Sequence, residues 1–360
     1  VSDAPLPATG AWREGDPPGR RQWVPLAGPV PGARIAYETW GTLDADRSNA
    51  VLVEHALTGD SHAAGPAAEG HPTPGWWDGV IGPGRAVDTN RYFVVCPNVL
   101  GGCQGTTGPA SKDPDGRAWG SRFPAVGIRE QVSAEVALAD ALGIDRWAAV
   151  LGGSMGGMRA LEWAVATPDR VATLLLLACP ASASAEQIAW AAPQLHAIRA
   201  DPRWQGGDYH DTTEGPWDGL GIARRIAQVT YRTEPELATR FGRASQPDGR
   251  YTIESYLDYH AGKLARRFDA ASYLLLTEAM NGHDIGAGRG GVEPALARVT
   301  ARTVVAGVDS DRLYPLSQQQ VLAEGISTTE GGLRVITSPS GHDGFLTETT
   351  QLSALLKELL

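Results

Sequence analysis

The stretch Ala149-Val150-Leu151-Gly152-Gly153-Ser154-Met155-Gly156-Gly157-Met158 decides how the chain reads. An apolar run climbs into Gly-Gly-Ser-Met-Gly-Gly, and a helical pattern, Met158-Arg159-Ala160-Leu161-Glu162-Trp163-Ala164, leaves it. This is strand, tight turn and helix with a serine at the apex, the pattern of a nucleophile elbow. So sharp a turn strains the serine backbone. It also leaves no room for a Cβ two residues to either side, where a side chain would strike the opposite arm; Gly152 and Gly156 meet that demand. A phosphate loop would want a Lys after its glycines, and a dinucleotide fold a Gly-x-Gly-x-x-Gly near the start of the chain. Neither stands here.

Outward from the elbow, strand and helix patterns alternate. Residues 34–40 alternate as a half-buried strand does, whereas 50–57 and 91–98 are nearly continuous apolar runs of the kind buried on both faces. Residues 147–151 lead into the elbow and 171–178 follow its helix. Residues 128–142 are helical, with Ile128, Val132, Val136 and Ala139 on one face. The expected fold is α/β: a mostly parallel sheet, helices on both faces, and ligands at the carboxyl ends of the strands. Residues 1 to about 30 are rich in Pro and Gly and read as an irregular lead-in.

From 183 to 298 the strand signal stops. Helical segments replace it at 185–200, 221–231, 234–241, 253–268 and 271–280. The sheet pattern returns at 303–308, followed by a helical region at 318–322, a strand at 333–336 and a closing helix at 347–360. This divides the chain into a core, 1–182 with 299–360, and a helical insertion, 183–298, placed as a lid over the carboxyl edge of the sheet.

A net charge of −10 argues against nucleic acid or an anionic membrane surface as partner, because neutralising phosphates takes clustered Lys and Arg. The longest apolar run, near 171–179, is too short to span a bilayer. Three cysteines, Cys96, Cys103 and Cys179, lack metal-ligand spacing and read as reduced thiols, so a soluble cytoplasmic protein is expected.

A serine becomes a nucleophile when a base takes its proton, and the base needs a carboxylate to orient it. In an elbow fold the order is Ser, acid, His, at the ends of successive strands. His342, in Ser338-Pro339-Ser340-Gly341-His342-Asp343-Gly344, is the histidine that follows the return of the sheet pattern. The acid should follow the strand at 303–308, where Asp309 and Asp311 both qualify. Two backbone N–H groups should hold the oxyanion: Met155, just after the nucleophile, and Leu57, in the loop after the strand at 50–56. His55 and His62 flank that loop without the spacing of a helical metal pair and without an evident acidic third ligand, so no metal is expected. His71, His196, His210, His260 and His283 read as solvated or structurally bonded.

Several longer motifs resemble homoserine O-acetyltransferases of the α/β-hydrolase type. They are His55-Ala56-Leu57-Thr58-Gly59-Asp60-Ser61-His62, Trp76-Trp77, the run from Asn98 to Pro109, the elbow, Ala223-Arg224-Arg225-Ile226 with Thr230-Tyr231-Arg232, Ser310-Asp311-Arg312-Leu313-Tyr314-Pro315, and Gly341-His342-Asp343-Gly344-Phe345-Leu346. Arg312 departs from the aromatic that many relatives carry there. The resemblance implies that Asp311 is the triad acid and that the helical lid is used for homodimerisation. It implies acetyl-CoA as co-substrate with no bound cofactor, and L-homoserine as acceptor. Its substrate contacts fall on Arg224 and Asp343, a guanidinium for the substrate carboxylate and a carboxylate for its ammonium. Relatives that use succinyl-CoA, serine or deacetylcephalosporin C, or that act as esterases, would keep the same triad.

Overall fold

The computed structural model describes residues 5–28 and 30–360. One sheet contains β1 (Gln22–Pro25), β2 (Arg34–Trp40), β3 (Ala50–Glu54), β4 (Phe93–Pro97), β5 (Ala149–Gly153), β6 (Thr173–Leu177), β7 (Arg302–Val308) and β8 (Thr329–Ile336), in the order β1-β2-β4-β3-β5-β6-β7-β8. β2 runs antiparallel to both neighbours, and all pairings from β4 to β8 are parallel.

The central strands are apolar throughout because both faces are covered. Successive residues point to opposite sides: Leu52, Val150, Leu174 and Leu176 join one core, while Val53, Leu151, Leu175 and Leu177 join another. The first core receives α1 (Ile128–Leu142) and the elbow helix α2 (Met155–Ala166) through Leu138, Leu161 and Trp163. Between β6 and β7 lie α3 (Ala185–Ala200), α4 (Trp217–Tyr231), α5 (Glu234–Arg240), α6 (Thr252–Ala265), α7 (Ala270–Asn281) and α8 (Val292–Leu296). Helices α3, α4, α6 and α7 share a third apolar core with Leu57, Met155 and Tyr314, which sets them over the carboxyl edge. By contrast, α8 is packed into the first core through Ala295 and Leu296. After β7 comes α9 (Leu316–Gly325), and after β8 come α10 (Gly344–Thr347) and α11 (Thr349–Leu359), whose Leu352 and Leu356 close the second core. Among the described residues no helix is long and apolar enough to cross a membrane.

The lead-in expected to be irregular over 1–30 contains β1, with Trp23 paired to Ala36. Four residues between turns carry no periodicity, and partnering by β2 is what makes them a strand. Residues 1–4 and Pro29 of that lead-in lie outside the described residues. At the elbow the strand reaches further than the apolar run suggests, because Gly152 and Gly153 still pair with β6 opposite Leu176 and Leu177.

Two elbow glycines are required by close approach. A Cβ on Gly152 would lie 2.2 Å from the Gly156 oxygen, the opposite arm of the turn. A Cβ on Gly156 would lie 2.1 Å from the Glu54 oxygen, so the obstacle at this position is the end of β3 and not the opposite arm. Gly156→Ala is therefore expected to lower unfolding free energy by about 1–3 kcal/mol. Chemical denaturation measures this, and an unchanged midpoint would show that β3 and the elbow can move apart.

Candidate active site

Ser154 sits between β5 and α2 with φ 57° and ψ −124°, a conformation that costs a non-glycine residue about 1–3 kcal/mol. Its neighbours hold it there: its N–H donates to Leu177 O at 2.9 Å, and its carbonyl accepts from Met158 N at 3.1 Å. The strain turns Oγ out of the strand–helix path, towards the loops that follow β7 and β8.

Those loops bring the other two groups. Asp311 follows β7, and its Oδ1 accepts the N–H groups of Leu313 and Tyr314, each at 2.9 Å. Its Oδ2 lies 2.7 Å from His342 Nδ1, and His342 Nε2 lies 2.9 Å from Ser154 Oγ. An ionised carboxylate only accepts, so the imidazole proton sits on Nδ1 and the Nε2 lone pair faces the serine hydroxyl. Such an array can take the serine proton and stabilise the resulting imidazolium. Asp309, equally eligible by position, instead accepts Ser338 N–H at 3.0 Å. The two loops are also tied by Ser310, which donates to Ser338 O and accepts from Gly341 N.

All three groups are buried. Burial works against charge on His342, but the Asp311 carboxylate, the hydrogen bond to it, and the nearby Asp343 outweigh that penalty and raise the imidazole pKa above its ordinary value. Tyr314, Phe345 and Tyr231 surround the ring at centroid distances of 5.1, 5.2 and 5.7 Å.

Leu57 is in the loop after β3, and Met155 is the first residue of α2. Neither N–H is bonded to another described residue, and a first-turn amide has no acceptor within its own helix. Above the imidazole, Arg224 lies on α4 with its guanidinium carbon 5.7 Å from the Tyr231 ring centre. Its Nε and Nη1 are buried and have no hydrogen-bond partner among the described residues. The adjacent Arg225 turns away to Asp258, at 2.7 Å. Asp343 has a protein partner that the sequence did not suggest, Arg232 at 3.0 Å, which also pairs with Glu236 at 3.1 Å.

The family model described as alpha/beta hydrolase fold matches residues 49–349. The homoserine O-acetyltransferase of Thermobifida fusca (strain YX) is 67% identical over 371 residues, covering 99% of this chain and 98% of that protein. The crystal structure of homoserine O-acetyltransferase from Bacillus anthracis superposes with a TM-score of 0.85 at 29% identity, covering 94% of this chain and 96% of that one. The chain belongs to the homoserine O-acetyltransferase family of the α/β-hydrolase fold. Esterase E22 has the same architecture, with a TM-score of 0.86 at 27% identity, covering 94% of this chain and 98% of that one. The fold thus hosts both transfer and hydrolysis, and the choice between them must come from the site.

One expectation about the flanking histidines needs correction. His62 does have an acidic neighbour: Glu38 of β2, fully buried, accepts from Ser61 Oγ at 2.9 Å, pairs with His62 Nδ1 at 3.0 Å and lies 3.4 Å from His71 Nε2. The spacing was invisible because Glu38 is more than twenty residues upstream and alternates inward on its strand. Three possible ligand atoms gather within 4.8 Å. However, the two imidazoles are stacked, 3.9 Å apart and within 7° of parallel. Each nitrogen lone pair lies in its own ring plane, so the two cannot point at one ion. His71 Nε2 is also taken by Arg20 N–H at 3.1 Å. As it stands, the cluster is a hydrogen-bonded anchor for the loop.

A base works when neutral, so its activity is lost as pH falls through its pKa. With the His342 pKa raised, the acid limb of kcat/KM should lie above the ordinary histidine value of about 6.5. Asp311→Asn removes the raising charge. It is expected to move that limb to lower pH and to reduce kcat about 10⁴-fold. A limb that stays in place would show that another group titrates.

Proposed function

We propose that this chain is a homoserine O-acetyltransferase, an acyltransferase that moves the acetyl group of acetyl-CoA to the hydroxyl of L-homoserine. Ser154 Oγ attacks the thioester carbonyl while His342 Nε2 takes its proton, with Asp311 holding the imidazolium. The oxyanion lies between the N–H groups of Leu57 and Met155. Collapse breaks the carbon–sulfur bond, CoA leaves with the proton from His342, and an acetyl ester remains on Ser154. The homoserine hydroxyl then attacks that ester as His342 takes its proton. The second collapse returns the proton to Ser154 and releases O-acetyl-L-homoserine, a precursor for methionine biosynthesis. No step calls for a bound cofactor or metal.

The observation that carries this reading is Arg224. A guanidinium with two buried, unpartnered nitrogens, lying over the Tyr231 ring that itself neighbours His342, is matched by a substrate carboxylate. Hydrolysis of a simple ester has no use for it. Asp343 supplies the counter-charge for the substrate ammonium, sharing it with Arg232. A small cavity of about 50 Å³ between α3, α4 and α7 is lined by Leu57, Tyr231 and Tyr314 and marks the side from which the thioester enters.

Within the helical insertion, 183–298, α8 packs with the core, while the helices α3, α4, α6 and α7 act as a lid that keeps water from the acetyl-enzyme. Gln187 of α3 fastens it to the acid loop by donating to Leu313 O at 2.8 Å. Its outer face exposes Ile188, Trp190, Ile222, Val229 and Tyr259, which supports a homodimer formed through the lid. Sedimentation of the Ile222→Asp variant should then give the monomer mass, and a dimer as tight as the unsubstituted one would remove this face from the interface. The three free buried thiols fit a cytoplasmic enzyme.

Intact-mass analysis with acetyl-CoA and succinyl-CoA offered together tests the main reading. An acetyl adduct is expected on Ser154, absent from Ser154→Ala and discharged by homoserine faster than by serine or water. A succinyl adduct, or discharge by water alone, would overturn it. Arg224→Leu should still form the adduct, with discharge at low homoserine about 10–100-fold slower.

A further inference from the structure

The loop that carries Leu57 is held by a histidine to which the mechanism gives no role. His55 follows β3 directly and is 1% exposed. Val99 N–H donates to its Nε2 at 3.0 Å. A backbone amide can only donate, so Nε2 carries the lone pair and Nδ1 carries the proton. Nδ1 lies 2.8 Å from Ala56 O and donates to it. Gly59 N–H donates to the same oxygen, also at 2.8 Å. Two donors thus fix the plane of the Ala56–Leu57 peptide. In a trans peptide the N–H points away from the C=O, so the Leu57 N–H is aimed to the side opposite His55 and Gly59.

The preceding carbonyl is fixed as well. Arg159 of α2 donates to His55 O at 2.7 Å and is itself held by Glu54 at 2.8 Å and Glu135 at 2.6 Å. The helix that starts at the nucleophile therefore holds the loop that faces it. Burial, with the Arg159 charge adding to it, pushes the His55 pKa down to about 3, so the ring stays neutral at any working pH.

We propose that His55 is a positioning residue: its neutral imidazole, bridging Val99 N–H and Ala56 C=O, sets the peptide whose Leu57 N–H receives the oxyanion. This rests on the acyl-transfer reading above. A purely structural His55 would matter equally for every property of the site. A positioning His55 matters through the bond to Ala56 and through the tetrahedral state.

Two variants separate the bonds. In His55→Asn the side-chain amide takes the place of Nδ1 and can donate to Ala56 O, while Val99 N–H loses its acceptor. In His55→Gln the amide oxygen can serve Val99, while Ala56 O loses its side-chain donor. His55→Gln is expected to lower kcat about 10²–10³-fold, as loss of an oxyanion donor does, and His55→Asn less than about tenfold. Binding of a small alkyl boronic acid, whose tetrahedral adduct on Ser154 places an oxygen in the hole, should weaken in parallel with kcat. CoA affinity should hold in both variants, which also reports that they are folded. Equal losses of kcat in the two variants, or boronate binding unchanged where kcat falls, would overturn the proposal. Failure of the underlying reading looks different: the unsubstituted protein would form no acyl-enzyme from acetyl-CoA.

Discussion

The turn of the elbow and the end of β3 touch backbone to backbone at Gly156 and Glu54, and this contact sets where every other group at the site can stand. It brings the start of α2, with Met155, against the loop that leaves β3, with Leu57. The arms of the turn themselves close at Gly152 and Gly156, around a Ser154 in a strained conformation. A side chain at Gly152 would push the arms of the turn apart, and one at Gly156 would push the turn off β3.

Beneath this contact lies a cluster of buried charge. Arg159, Glu54 and Glu135 have no side-chain exposure, and Trp163 donates to Glu135 at 3.0 Å. Burial, together with the charge of Glu135, raises the Glu54 pKa well above its ordinary value despite Arg159. A buried pair of this kind adds little net stability, and its stronger effect is on geometry. Here it ties β3, α1 and α2 to the His55 carbonyl. The second buried pair, Asp311 and His342, differs in that its hydrogen bond orients a ring whose other nitrogen faces the serine.

The helices over the carboxyl edge bring charged side chains to the loops that carry the triad. α4 carries Arg224 and ends beside Arg232, which engages Asp343 one residue past His342. Charges from α4 and its C-terminal end thus meet the loop after β8.

Much of this was legible in the chain. Period-two and continuous apolar runs marked the strands, because burial on one or both faces of a sheet imposes those patterns. Helices 128–142 and 185–200 have the bounds that their periodicity indicated. The glycines around Ser154, the late His342 and the insertion without strands were equally plain, since each is a local statement about backbone space or chain order. Other features depended on which distant residues meet. β1 is a strand because β2 pairs with it; Asp311, not Asp309, is the one that lies against His342; Glu38 reaches His62 and His71 across the sheet; and Arg232 occupies Asp343. The sequence by itself determined that a serine stands at a strained turn with an acid and a histidine to follow. Only the tertiary structure decided which carboxylate turns inward and which peptide His55 and Arg159 hold in place. Hydrogen bonds and buried charges are settled by distances of a few ångströms between segments as far as 188 residues apart, and no local pattern records those distances.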